Sequence, residues 1–213
     1  MILGASQGTG LYVVKLALEK KYDVTALARR TVALQALKSL SQHSENLEVI
    51  EGDVLAPETY EHLLHGKDVV VSSIGVSNNK PTTLYSQGIA HILHAMTKFQ
   101  IPRLICISGL GVEVTPGMSI PLKLATKYIV QPLLKNNFSD LLRMEAAVKK
   151  SDVHWTIVRP PRLTDGKLSG KYRVGVNRYL RNPLTIGRAD LAHYILHSIQ
   201  STDTYRSTVE VAY

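Results

Sequence analysis

Three glycines fall within seven residues in the stretch GASQGTG, Gly4 to Gly10. It lies between the apolar run Met1-Ile2-Leu3 and the helix-period pattern Leu11-Tyr12-Val13-Val14-Lys15-Leu16. A glycine-rich turn that ends a strand and opens a helix lets backbone come very close to a partner, and it points the helix's first amides and their partial positive charge at an anion. Gly4 permits the turn, Gly8 the close approach, and Gly10 the tight packing of helix on strand. The context predicts a dinucleotide pyrophosphate held by Gly4, Ser6, Gln7, Gly8, Thr9 and Gly10. The strand in front has room for only three residues from Met1, fewer than the usual five or so. Either the start is trimmed or few backbone bonds hold this strand.

The rest of the chain repeats the strand-then-helix rhythm. β-Branched apolar runs near 1–3, 24–28, 47–50, 69–74, 104–108, 155–159 and 208–212 alternate with helix-period segments near 9–20, 32–40, 57–64, 83–99, 140–150 and 188–200. Parallel strands joined by right-handed crossover helices produce this pattern. The expected fold is α/β, a doubly wound Rossmann-like parallel sheet in a single domain spanning 1–213, with the ligand crevice at the carboxyl ends of the strands. Two irregular stretches, 109–121 and 160–182, are expected to overhang that crevice and shape a substrate pocket.

Composition narrows the class. A chain of 213 residues with 45% hydrophobic and 20% charged residues has enough apolar surface for one sizeable core. No apolar stretch has the length of a membrane span and no leader pattern opens the chain, so a cytoplasmic address without a membrane partner is expected. The single cysteine, Cys106, excludes an internal disulfide and reads as a buried structural thiol. His91 with His94, and His193 with His197, have helical spacing but no evident third ligand, so no metal is expected.

About 20 positions beyond the glycines, an NAD-preferring chain carries an acidic residue for the adenosine ribose. Here the sequence is Ala28-Arg29-Arg30-Thr31. Two guanidiniums suit a phosphate, so Arg29 and Arg30 predict NADP(H) as cofactor. The net charge of +8 is concentrated downstream: eight Lys and Arg residues lie from Arg159 to Arg188, opposed only by Asp165. That stretch reads as a solvated basic surface, or as the seat of an anionic substrate or nucleic acid.

The motifs GASQGTG, ALARR, EGDVLAP, VVVSSIG, LICISGLGV, WTIVRPPRLTDG and RADLAHYILHSI, in this order, resemble the atypical short-chain dehydrogenase/reductase group, its NAD(P)H-binding or NmrA-like families. The small biliverdin and flavin reductase branch is the most similar. The resemblance implies that Asp53 and Val54 border the adenine. It places Ser72, Ser73, Ile74 and Gly75 along the cofactor ribose and nicotinamide, Pro160 and Pro161 near the nicotinamide, and Ser108 beside the carboxamide or substrate. A strand-end cap is an equal reading of Ser108. The branch carries histidine after its Pro-Pro pair, and this chain has Arg162, which suits an anionic acceptor and developing negative charge.

The larger dehydrogenase group uses a Tyr-x-x-x-Lys pair to shuttle a proton, and none of the ten tyrosines here has lysine four residues later. Hydride transfer to a flavin, quinone or biliverdin-like acceptor needs alignment more than a protein acid. An NADPH-dependent reductase of a flat conjugated acceptor, with Ser108 and Arg162 at the reacting end, is therefore the leading expectation. A non-catalytic NADP(H)-sensing regulator is second and nucleic-acid binding last. A monomer or weak homodimer is expected.

Overall fold

In the computed structural model, described for residues 1–29, 35, 37, 39–40, 44–115 and 117–213, the predicted strands assemble into one twisted sheet. β1 (Ile2–Leu3), β2 (Val24–Ala28), β3 (Leu47–Glu51), β4 (Val69–Ser72), β5 (Arg103–Ile107), β6 (His154–Arg159) and β10 (Ser207–Ala212) run parallel, with β8 (Arg173–Val176) antiparallel on one edge. The order is β3-β2-β1-β4-β5-β6-β10-β8. The chain therefore winds outward from β1 and restarts at β4 on its other side, which opens a crevice between the carboxyl ends of β1 and β4.

Side chains alternate across a strand, so each central strand feeds two cores. Val70, Leu104, Cys106 and Ile157 pack under α2 (Leu84–Lys98) and α5 (Lys135–Lys150). Their neighbours Val71, Ile105 and Val158 pack under α1 (Gly8–Glu19) and α6 (Arg188–Ser198). Arg103 at the start of β5 is 3% exposed, and its guanidinium donates to the Ser198 and Ile199 carbonyls at the end of α6, so a buried cation meets that helix's free acceptors. Cys106 is buried within the first core, and burial pushes its thiol pKa up.

Three expectations change. The helix predicted over 57–64 is two 3-10 turns, Pro57–Thr59 and Glu61–Leu64. Tyr60 breaks the run by turning fully inward, where its hydroxyl donates to the Val54 carbonyl. The irregular stretch 109–121 gives way at Ile120 to a helical arm: α3 (Ile120–Ala125), a π-helical turn (Thr126–Val130) and α4 (Gln131–Leu133). Pro121 and Pro132 stand in helix first turns, where proline's missing N–H and fixed φ are compatible with helix, so neither acts as a breaker.

The stretch 160–182 holds β7 (Arg162–Thr164) and β8, and β7 pairs with β9 (Thr185–Gly187) in a separate two-stranded sheet. Strands of three or four residues are too short for periodicity to reveal. Of the helix predicted over 32–40, Gln35, Leu37, Ser39 and Leu40 are described and helical, and the remainder, with Arg30, lies outside the described residues.

Candidate functional site

At the carboxyl ends of β1, β2, β4 and β5 a groove of about 1310 Å³ opens across the switch point. Its floor is the glycine loop. Gly4 and Gly8 have φ of +75° and +56°, the left-handed region that glycine occupies without strain. A Cβ at Gly10 would overlap the Gly4 carbonyl oxygen and Ser73 Oγ, so only glycine lets α1 sit this close to β1 and β4. Ser73 Oγ donates to the Leu3 and Gly4 carbonyls at 3.0 and 3.1 Å and locks the loop to the end of β4. Among the described residues no side chain caps α1, and Thr9 Oγ1 is buried with no hydrogen-bond partner there. A loop that admits no Cβ at Gly4 or Gly10, uncapped helix amides and an orphaned hydroxyl fit a pyrophosphate, with Ser6, Gln7, Gly8 and Thr9 all lining the groove.

On one side of the loop Arg29 directly follows β2, exposed and lining the groove. Val54 and Leu55 line it too, while Asp53 does not. Asp53 Oδ1 accepts from the Leu55 amide at 2.9 Å, so one carboxylate oxygen is committed to its own turn. Ser73, Ile74 and Gly75 lie along the groove wall, whereas Ser72 is buried within β4, opposite Leu3 and Cys106.

On the other side, Ser108 follows β5 and lines the groove above a buried charge cluster. Its hydroxyl donates to Glu145 Oε1 at 2.7 Å, and the same oxygen accepts from Arg159 Nε at 2.8 Å. Arg159 also pairs with Glu145 Oε2 and Glu113, and Lys149 sits 3.2 Å from Glu145. Burial works against the charges of Glu113 and Arg159, but their partners outweigh it: Arg159 and Lys149 lower the Glu113 pKa, and Glu145 followed by Glu113 raises that of Arg159. The one proton of Ser108 is thus committed to Glu145, and towards the groove this hydroxyl offers lone pairs only. The groove-side chemistry it supports is acceptance, from an amide, pyrrole or ring N–H.

A protein-family model for NAD(P)H-binding proteins matches residues 4–202, from the glycine loop to the last helical turn. This chain belongs to the NAD(P)H-binding family. Solved structures share the family's fold. A short-chain dehydrogenase/reductase from Veillonella parvula in complex with NADP superposes with a TM-score of 0.82 at 19% identity, covering 100% of this chain and 93% of that one. An anaerobillin reductase from Escherichia coli gives 0.72 at 20% identity, over 99% and 95% of the two chains.

Within this NAD(P)H-binding frame, three groove residues escaped sequence reasoning. Arg188, the first residue of α6, lays its Nε 3.7 Å from where a Gly8 Cβ would stand and pairs with Asp165 at 2.8 Å. Its only sequence signal was membership of the basic stretch. Arg143 lines the groove from α5 and pairs with buried Asp140, whose carboxylate accepts from the first-turn amides of α2. Tyr85 lines the groove and its hydroxyl accepts from the Val76 amide at 3.2 Å, while burial raises its pKa and keeps it a phenol. Lysine-tyrosine spacing could not reveal it, because it has no lysine partner.

The residues after β6 sit differently from expectation. Pro160 is buried, its carbonyl accepting from Leu110, and neither it nor Pro161 nor Arg162 lines the groove. Arg162 is exposed on β7, and the next residues, Leu163 and Asp165, are the ones that reach the groove. Of the stretch expected to overhang the groove, none of the described residues 109–115 and 117–118 lines it, and Glu113 and Thr115 bond Arg159 and Glu210 instead. Buried Arg159 and Glu210 draw the loop towards themselves, which spacing in the sequence does not register. Among the described residues no group of His, Cys, Asp and Glu side chains is placed to hold a metal ion, and no helix is long and apolar enough to cross a membrane.

Proposed function

We propose that this protein is an NADPH-dependent reductase that passes hydride to a flat, conjugated, anionic acceptor. The observation that carries the reading is the groove itself: a phosphate cradle and an exposed arginine at one end, and at the other Ser108 with its proton turned away. The glycine loop, Thr9 Oγ1 and Arg29, with Arg30 beside it in sequence, hold the phosphates. Val54 with Asp53 borders the adenine, and Ser73 to Gly75 follow the ribose. Pro160 and Pro161 brace the nicotinamide end from behind the groove wall, and Ser72 anchors β4. When bound, the reduced nicotinamide supplies the hydride.

The chain's own groups align and shield rather than donate a proton. Ser108 accepts a hydrogen bond from the carboxamide or the acceptor and fixes the reacting faces. Tyr85, unassisted by lysine, stays a neutral phenol that orients but exchanges protons poorly near neutral pH. The proton that accompanies the hydride therefore comes from water, which suits flavins, quinones and bilins. Among the described residues lining the groove, three arginines, Arg29, Arg143 and Arg188, against one carboxylate, Asp165, favour an anionic ligand.

The test follows loss of reduced-nicotinamide absorbance with NADPH and NADH against FMN, quinones, biliverdin and anaerobillin, the last taken from the name of the Escherichia coli neighbour. Turnover with NADPH is expected, and a double substitution Arg29→Glu, Arg30→Ser should shift preference towards NADH. The missing activated acid also favours a second reading, an NADP(H)-sensing regulator. Tight NADPH binding without turnover of any acceptor would replace the first reading by the second.

A further inference from the structure

We propose that the exposed face of the helical arm Ile120–Leu133 seats this protein on the surface of an anionic lipid bilayer. Five of the eleven large hydrophobic side chains exposed among the described residues lie in this arm: Ile120, Leu124, Tyr128, Ile129 and Leu133, between 51% and 73% exposed. Ile120, Leu124 and Tyr128 recur every four residues and so form one stripe. The π-helical turn, closed by the Gln131 amide on the Thr126 carbonyl, adds the extra residue that brings Leu133 into line after Tyr128.

The charges around the stripe choose the occupant. From Val114 to Ser139 the sequence has no Asp or Glu, and its only charged residues are Lys123, Lys127 and Lys135. Lys127 Nζ lies 5.5 Å from the Tyr128 ring centroid, a cation and an amphipathic aromatic ring at the same edge. An apolar stripe with lysines and a tyrosine along it has the make-up of a helix that lies in the headgroup layer, with apolar groups among the acyl chains and ammonium groups on lipid phosphates. A second copy fits less well: a two-fold contact through this face would bring the arm's lysines together, with no carboxylate on the arm to answer them. The expectation of no membrane partner rested on the absence of spanning length, which does not bear on a helix lying flat.

The arm is fixed to the groove rim. Asn79 Nδ2 donates to the Leu133 carbonyl at 2.6 Å, and Asn136 and Asn137 donate to the Asn79 and Asn78 carbonyls. Asn78 itself lines the groove. Lipid contact through the arm therefore places the groove rim at the bilayer surface.

The experiment is co-sedimentation of the full chain with vesicles of phosphatidylcholine alone and of phosphatidylcholine with phosphatidylglycerol, at low and high salt. NADPH titration of each variant reports intact folding. Binding is expected only to the phosphatidylglycerol vesicles, falling at high salt and about fivefold for each lysine removed in K123Q and K127Q. The pair Leu124→Ser, Ile129→Ser should abolish it while NADPH affinity stays unchanged. Absence of sedimentation with anionic vesicles overturns the proposal, as does binding indifferent to phosphatidylglycerol. A concentration-dependent dimer that Ile129→Ser dissociates, without vesicle binding, would assign the face to a second copy.

Discussion

Arginine 188 offers the sharpest check on how the groove holds its anion. Its guanidinium lies over Gly8 and is paired with Asp165, whose side chain is 83% exposed. An ion pair with so exposed a partner is worth below about 1 kcal/mol, so little opposes a shift of Arg188 to a phosphate. A hydrogen bond to a charged group contributes about 1.5–3 kcal/mol. The difference leaves roughly 1–2 kcal/mol for cofactor affinity, which at about 1.4 kcal/mol per decade is about 5- to 30-fold in Kd. Titration of Arg188→Ala with NADPH, followed by fluorescence or calorimetry, should show that loss with an unchanged melting temperature. Asp165→Ala should bind as tightly as the parent or tighter, because it frees the guanidinium. A change below twofold for Arg188→Ala, or an equal loss in both variants, would refute the argument.

Other substitutions probe the remaining parts of the site. Gly10→Ala forces a methyl group into the Gly4 carbonyl and Ser73 Oγ, and should cost about 1–3 kcal/mol in urea unfolding together with NADPH binding. Ser108→Ala should lower kcat/KM about tenfold for the best acceptor, and the loss of its bond to Glu145 should reduce stability by about 1 kcal/mol. Arg159→Met leaves Glu145 buried without its main partner, and a loss of about 3–5 kcal/mol is expected on denaturation. Asp190 is fully buried. Burial disfavours its charge, but hydrogen bonds from Tyr213, Gly170 and Ser169 outweigh this and hold its pKa below the usual range. Its contribution is therefore present above the unfolded carboxyl pKa near 4 and lost as pH falls through the folded value. Melting curves should show the parent losing stability below about pH 4 more steeply than Asp190→Asn.

The path from residues to fold was short where physics is local. Strand positions and the phosphate loop follow from periodicity and from glycine's freedom at positive φ, properties each segment carries by itself, and the winding order follows from the strand–helix alternation with right-handed crossovers. The same holds for Arg29 at the end of β2, because the crossover length from the glycine loop to that strand end is set by one helix and one turn. Even the silent edges of the reading were local: β7, β8 and β9 are too short for a period to declare itself, and Pro121 and Pro132 carry the same letter as a helix breaker.

What the sequence alone determined, then, is which segments become strands, helices and the anion-cradling turn, and through their alternation with right-handed crossovers the parallel winding about its switch point. The tertiary structure alone decided which charges beyond Arg29 face the groove. Arg162 and Arg188 are alike in the sequence, yet the pairing of β7 with β9 turns the first to solvent, while the start of α6 aims the second at Gly8. Ser108 gained its polarity in the same way, from Glu145 thirty-seven residues away on α5. Such directions depend on packing between distant segments, and no spacing along the chain encodes them.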